Sequence, residues 1–180
     1  MGHVPGPGYR AHVRATVLRT FATLVLLVGC GASDASTAEG VPAGADGPFV
    51  VTRVVDGDTI KLANGDTVRL IGIDTPETVD PRKPVQCFGE EASARTRELL
   101  DGEHVYLEYD PTQGRVDRYG RTLAYVWTTD GSLVNEQLVA EGYAHEYTYE
   151  IPYKYRDEFN AAEASARDNE RGLWAAGACA

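Results

Sequence analysis

The sequence has few of the side chains that bind soft metal ions, and it lacks a long apolar segment. Three cysteines and four histidines occur among 180 residues, with no Cys-x-x-Cys pair and no Cys/His cluster. A zinc site is therefore not expected. The apolar run FATLVLLVG, at 21–29, is about half the ~20 residues that a membrane-spanning helix needs. This length argues against a transmembrane helix.

Basic residues are also scarce. Lysine and arginine number 17 against 27 aspartates and glutamates, an unusual balance for a protein that binds a polyanion. No acidic residue precedes Asp34, whereas Arg10, Arg14 and Arg19 come before the apolar run. A basic segment followed by a short apolar one is typical of an export signal, here 1–29. Its removal would leave 14 basic residues and a net charge of −13.

The end of the apolar run predicts where the exported chain begins. LVGC, at 27–30, resembles the bacterial lipobox, in which cleavage occurs before a cysteine that is then lipidated. We therefore expect a lipid on Cys30 that anchors the protein to the outer face of the cytoplasmic membrane or to the outer membrane. An ordinary signal peptide with a chance cysteine is the alternative. Residues 30–47 are small and polar, as in a flexible tether.

The two remaining cysteines, Cys87 and Cys179, leave two alternatives open. Disulfides persist in oxidising compartments outside the cytoplasm, so export favours a bridge that ties the C-terminal region to the middle of the fold. The other interpretation is a pair of free or buried thiols, because the sequence alone gives no geometry.

Hydrophobic periodicity predicts one domain at 48–176, followed by a tail at 177–180. Alternating apolar residues and the turn signal Asn64-Gly65 predict strands at 49–55, in a hairpin within 58–73, at 104–110 and at 122–129. Helices are predicted at 89–102, 132–142 and 154–174. The order β-β-β-α-β-β-α-α indicates an α+β fold, and a five-stranded OB-fold barrel with about three helices fits it.

Charged residues gather where the first three strands end. In a meander, Asp58 begins the second strand and Asp74 follows the third, so we expect the two carboxylates to be neighbours. Carboxylate and carbonyl oxygens suit a hard cation, and calcium is favoured over magnesium outside the cytoplasm. The EF-hand spacing does not fit, because Lys61 and Thr67 stand where glycine and glutamate are required.

A cation beside arginines is a set suited to a phosphoryl transition state. Arginine binds phosphate oxygens in a planar, permanently charged fork. Glu77 follows Asp74 closely and could orient or deprotonate a water. These residues together predict a metal-assisted phosphodiesterase.

Four segments, in this order and at these separations, resemble the staphylococcal nuclease (thermonuclease) family: VVDGDTI, RLIGIDTPET, FGEEAS and DRYGRTLAYV. The resemblance covers about residues 49–175. It implies an OB-fold, calcium-dependent nuclease that cleaves DNA and RNA at the P–O5′ bond and leaves 3′-phosphates. It also implies that nucleic acid is the substrate, and we expect the protein to be a monomer.

The resemblance assigns roles to matching residues, without any geometry. The implied calcium ligands are Asp58, Asp74 and the backbone carbonyl of Thr75, with Asp56 a supporting acid nearby. The implied catalytic residues are Arg69, Glu77 and Arg121. The implied substrate contacts are Tyr119, Tyr147 and Tyr149, of which the last two need a one-residue gap in the alignment.

The acidic balance departs from the strongly basic type protein of this family. Few lysines are available to follow a phosphate backbone, so non-specific affinity should be lower and more sensitive to salt. Two other classes remain as alternatives. One is a non-catalytic OB module that binds single-stranded nucleic acid, which needs stacking aromatics and a basic groove instead of a metal site. The other is a calcium-binding surface lipoprotein without catalysis.

Overall fold

The computed structural model describes residues 1–2, 39–82 and 84–179 of the chain. The chain divides into two compact units, Met1–Ala35 and Ser36–Ala180. Every helix and strand described below belongs to the second unit. The predicted signal peptide beyond its first two residues, the lipidation site Cys30 and half of the predicted tether, 30–38, lie outside the described residues. Among the residues that are described, no helix is long and apolar enough to cross a membrane.

Five strands form a closed barrel in the order β1-β2-β3-β6-β5. Their bounds are Asp46–Asp56 for β1, Thr59–Leu62 for β2, Thr67–Leu70 for β3, His104–Glu108 for β5 and Thr122–Thr128 for β6. Neighbouring strands are antiparallel except β3 and β6, which run parallel, and β5 closes the barrel on β1. The α+β fold with a five-stranded OB-type barrel is thus confirmed.

Alternation of side chains along β2 and β3 separates the core from the outer face. Ile60 and Val68 are fully buried and Leu62 and Leu70 nearly so, which places them inside the barrel. The residues between them therefore point outward, because successive side chains of a strand lie on opposite faces. The outer face at this end of the barrel carries Arg69.

The third predicted strand ends earlier than expected. β3 stops at Leu70, and a separate two-residue strand β4, Ile73–Asp74, pairs with β7, His145–Glu146. Gly72 has a φ of 79°, which residues with a side chain rarely adopt, so the chain turns between the two strands. This turn separates Asp74 from β3 and lets it pair with His145 on β7.

Three helices cover the barrel: α1 at Gly89–Leu100, α2 at Val134–Ala140 and α3 at Arg156–Asp168. The prediction of one helix over 154–174 is wrong in its extent. Glu170 and Gly172 have positive φ values of 50° and 54°, which end the helix before a short 3₁₀ turn, Gly172–Trp174. The Leu173 amide then donates to the Gly142 carbonyl at 2.8 Å and returns this segment to the domain.

A disulfide joins Cys87 to Cys179, across 92 positions of sequence. Of the two alternatives left by the sequence, the structure therefore contains the bridge. Cys87 lies two residues before the start of α1, at the end of the loop that follows β4. The bridge ties this loop to the C-terminal segment after the 3₁₀ turn.

Candidate active site

Arg69 lies at the centre of the charged cluster. Its Nη1 donates to the backbone carbonyls of Leu70 and Ile73, both at 2.8 Å. Its Nη2 contacts Asp58 Oδ2 at 3.1 Å and Asp74 Oδ1 at 3.0 Å. The two carboxylates therefore meet on one guanidinium nitrogen, as the predicted meander requires. Because the backbone fixes the other nitrogen, the side chain is held in one orientation while 14% of it stays exposed.

The turn between β1 and β2 presents Asp58 to the segment after β4. Asp58 Oδ2 accepts hydrogen bonds from the Thr75 amide at 3.1 Å and from the Thr75 hydroxyl at 3.2 Å. Gly57 makes this approach feasible, because a Cβ at that position would come within 2.7 Å of the Thr75 side chain. Two segments distant in sequence are thereby joined at the site.

Arg121 reaches the same carboxylate from the opposite side through a hydroxyl. Its Nη1 lies 3.4 Å from Thr59 Oγ1, which in turn donates to Asp58 Oδ1 at 2.9 Å. Arg69 contacts the other oxygen of Asp58. The two guanidinium groups therefore flank one carboxylate, and each remains partly exposed.

Asp117 orients Arg121 within the tight turn that precedes β6. Asp117 Oδ2 accepts from Arg121 Nε at 2.7 Å, and Oδ1 accepts from the amides of Tyr119 and Arg121. Burial acts to raise the pKa of Asp117, but these hydrogen bonds outweigh burial and lower it below the ordinary 3.8. Asp117 is therefore ionised at neutral pH and holds Arg121 by a permanent charge pair.

Partial burial raises the pKa of Asp74 above its ordinary value of 3.8. The Arg69 guanidinium opposes this shift, the nearby carboxylate of Asp58 reinforces it, His145 lowers the pKa and Glu77 raises it. Burial therefore outweighs the attraction of Arg69 and disfavours the ionised form of Asp74. A further cation would oppose this effect of burial and favour the ionised form of Asp74.

Glu77 is built into its own loop. Its Oε1 accepts from the amides of Val79 at 2.7 Å and Asp80 at 3.1 Å. Gln86 fixes its backbone, since the Glu77 amide donates to Gln86 Oε1 at 2.8 Å and the Gln86 amide donates to the Glu77 carbonyl at 2.9 Å. Within the described residues, no hydrogen bond joins Glu77 to either arginine.

Asp56 connects three segments of the chain next to the site. Its Oδ1 accepts from the Gly57 amide, the Thr78 hydroxyl and the Ser93 hydroxyl, at 2.9, 2.7 and 2.9 Å. Ser93 belongs to α1, so Asp56 joins the β1–β2 turn, the loop after β4 and the helix. Asp56 is thus a structural support for the loop that carries Thr75 and Glu77.

A family model described as staphylococcal nuclease homologue matches residues 67–176. The chain is 43% identical over 129 residues to the thermonuclease of Staphylococcus hyicus and 44% identical over 129 residues to that of Staphylococcus intermedius. Each alignment spans 70% of this chain and 75% of the relative. This chain belongs to the staphylococcal nuclease family.

A Bacillus subtilis relative differs in length. Endonuclease YncB of strain 168 is 46% identical over 126 residues, which are 68% of this chain but 59% of the relative. The family resemblance noted from the sequence is thereby confirmed.

The tyrosines that the family resemblance assigns to substrate contact lie on the surface. Tyr119, Tyr147 and Tyr149 are 68%, 44% and 61% exposed. The Tyr119 ring lies 5.3 Å from the Arg121 guanidinium carbon and 4.8 Å from that of Arg118. The rings of Tyr147 and Tyr149 lie 6.3 Å apart. Exposed rings beside arginines can accept stacked bases.

The residues expected to hold calcium fit a hard cation in chemistry. Asp58, Asp74 and the Thr75 carbonyl offer only oxygen, and the two carboxylates are held together on Arg69. No group of three or more His, Cys, Asp and Glu suited to a metal occurs among the described residues. These residues would therefore supply only part of the roughly six to eight oxygens that calcium takes.

Sequence reasoning missed three residues of the site: Thr59, Asp117 and Gln86. Asp117 carries a signal in DRYGR, since an acid four positions before an arginine in a Gly-containing turn can bond back to it. Thr59 follows Asp58 directly, and its hydroxyl lies between Asp58 and Arg121 only because β2, β3 and β6 are adjacent. Gln86 has no local signal that we can identify.

Proposed function

We propose that this chain is an exported, calcium-dependent nuclease that hydrolyses phosphodiester bonds in DNA and RNA. Its relatives named thermonuclease and endonuclease support the reaction class. The observation that carries the proposal is the pair Arg69 and Arg121, held by other residues on the two sides of Asp58. P–O5′ cleavage with 3′-phosphate products, and a monomeric enzyme, belong to the same proposal.

The arginines bind the scissile phosphate and stabilise the negative charge that develops on its oxygens. Arg69 is fixed by two carbonyls and Arg121 by Asp117, so both are oriented before substrate binds. Preorganised cations stabilise a transition state without reorganisation during the reaction. The exposed rings of Tyr119, Tyr147 and Tyr149 would hold the adjoining nucleotides.

The metal would be held by Asp58, Asp74 and the carbonyl of Thr75. Bound there, a calcium ion supplies Lewis-acid polarisation of a phosphate oxygen. Asp58 and Asp74, which both contact Arg69, would hold the cation, and positive charge would then be concentrated at this site of an acidic chain. Asp56 and Gly57 maintain the approach of Thr75 to Asp58.

Glu77 orients the attacking water or accepts its proton. One of its oxygens is bound to the loop amides, which fixes the direction of the carboxylate. The second oxygen remains for the water. Glu77→Ala should lower kcat by about 10²–10⁴-fold, the usual contribution of a positioned acid or base. Full activity in this variant would remove the assigned role.

Digestion of DNA and RNA by residues 36–180, with calcium or with a chelator, tests the function directly. Cleavage that depends on calcium is expected, and the absence of any cleavage would overturn the proposal. Binding of single-stranded nucleic acid without cleavage would instead support the non-catalytic OB module. Calcium binding without nucleic-acid binding would support the non-catalytic calcium-binding lipoprotein.

Arg121→Lys separates the guanidinium geometry from its charge. An ammonium keeps the charge but loses the planar fork, so we expect kcat to fall by roughly 10²–10³-fold. The matched control is Arg97→Lys on the exposed face of α1, which should retain full activity. Equal activity in both variants would contradict the role of Arg121.

Export and lipid anchoring at Cys30 remain part of the proposal, because this region lies outside the described residues. Mass spectrometry of the N-terminus of protein purified from membranes would show a lipidated Cys30. An unmodified terminus at Ala32 or beyond would instead favour an ordinary signal peptide.

A further inference from the structure

Two cations face each other on the outer surface of the barrel, away from the residues assigned to the site. Arg53 on β1 and Lys61 on β2 are direct partners in the antiparallel ladder, and both are exposed. Like charges directly opposite each other weaken a sheet. Neither residue forms an ion pair with any residue that the structure describes. The pair is therefore a local cost to folding that no acidic side chain in the described part of the chain offsets.

The pair is continuous with the candidate active site along the sheet. Ile60 and Leu62 point into the core, so Thr59 and Lys61 share the outer face of β2. Thr59 pairs with Arg69 across the β2–β3 ladder, and its hydroxyl contacts Arg121. Lys61 is two residues further along the same face, about 7 Å from Thr59 at ~3.4 Å per residue. This distance is comparable with the separation of successive phosphates in an extended strand.

The charge of the remaining chain makes this pair distinctive. The full sequence has a net charge of −10, and among the described basic residues Arg69, Arg82, Arg95, Arg121 and Lys154 are paired closely with carboxylates. Two adjacent unpaired cations are complementary in charge to a polyanion. On an acidic protein they can contact it only where another site already holds the polyanion nearby. The neighbouring phosphate site supplies that condition.

We propose that Arg53 and Lys61 bind the nucleic-acid backbone one or two phosphates beyond the one held by Arg69 and Arg121. This inference rests on the proposed nuclease function, and it extends the substrate path from the site onto the outer face of β1 and β2. The contact is to phosphate and carries no base preference. It provides backbone affinity that the acidic composition otherwise withholds.

The test compares the double variant Arg53→Gln/Lys61→Gln with a charge-matched control, Arg97→Gln/Arg171→Gln, which removes two exposed cations elsewhere. Each is assayed on a dinucleotide and on a 20-nucleotide single strand. For the long strand, we expect KM to rise about tenfold, with kcat unchanged and dinucleotide cleavage unaffected. The slope of log K against log salt should become shallower by about 1.4, the value for two phosphate contacts on single strands.

The outcomes separate this proposal from the nuclease function. If the wild-type chain cleaves neither substrate, the proposed nuclease function is wrong. Fluorescence anisotropy of a labelled strand at several salt concentrations then tests nucleic-acid binding by Arg53 and Lys61 alone. An unchanged salt slope, or equal losses in the control variant, would overturn the role of Arg53 and Lys61. The same result follows if the double variant loses binding only to vesicles of anionic lipid and keeps its affinity for the strand.

Discussion

Removal of the Cys87–Cys179 disulfide should affect both stability and catalysis, and the two effects can be measured separately. The variant is Cys87→Ser/Cys179→Ser, which replaces the bridge by two small hydroxyls. Cys87 follows Gln86, whose amide and side chain hold the backbone of Glu77. The bridge therefore anchors the end of the loop that carries the proposed water-orienting acid.

The magnitude follows from the length of chain that the bridge closes. With 92 positions between the cysteines, the loss of chain entropy in the unfolded state amounts to about 4.6 kcal/mol at 25 °C. Native disulfides of small secreted domains contribute roughly 2–5 kcal/mol in practice. We therefore expect the double variant to lose 2–5 kcal/mol of unfolding free energy, roughly. The two hydrogen bonds between Gln86 and Glu77 contribute about 1 kcal/mol each to the stability of the loop conformation.

Urea unfolding monitored by tryptophan fluorescence measures the first effect, and kcat at low temperature, where both proteins are folded, measures the second. Wild-type protein treated with a thiol reductant should match the double variant in both. Gln86→Ala keeps the bridge but removes the side-chain acceptor of the Glu77 amide, so it should lower kcat with a much smaller loss of stability. A loss below about 1 kcal/mol in the double variant would refute the entropic reasoning. Normal kcat in both variants would refute the anchoring of Glu77.

Two further predictions concern the supports of the site. Gly57→Ala would place a Cβ within 2.7 Å of the Thr75 side chain, so Thr75 should move from Asp58 and activity should fall at least tenfold, as measured by DNA digestion; wild-type activity would contradict this close approach. Asp117 has a lowered pKa, so its contribution to stability is fully present above pH 3.8 and is lost as the pH falls through its folded-state pKa. Asp117→Asn should therefore weaken this acid dependence in urea titrations and lower kcat by releasing Arg121; unchanged acid dependence would show that Asp117 does not hold the charge pair.

The barrel could be predicted from the sequence because its signals are local. The alternation of Ile60 and Leu62 with outward residues, and the turn at Asn64-Gly65, define a hairpin without further information. The meeting of Asp58 with the end of the third strand follows from that meander. These are consequences of strand geometry, which the sequence pattern contains directly.

Other features depend on contacts between distant segments. The parallel pairing of β3 with β6 has no local signature, and the two-residue strands β4 and β7 are too short to show alternation. α3 ends early because Glu170 has a positive φ. The sequence gives no sign of this, since glutamate has a high helix propensity. The hydroxyl of Thr59 acquires its position between Asp58 and Arg121 only when β6 lies beside β3.

The parallel β3–β6 pair also determines when Arg69 and Arg121 can meet during synthesis. Arg69 and Arg121 are separated by the helix α1 and by the strands β4 and β5, and they approach each other only when β6 has joined β3 and closed the barrel. A nascent chain that ends before Arg121, or a fragment cut between these strands, lacks half of the proposed phosphate-binding pair. If the two arginines act as proposed, cleavage requires the completed barrel, so partial products would not degrade the nucleic acid of the cell that makes them.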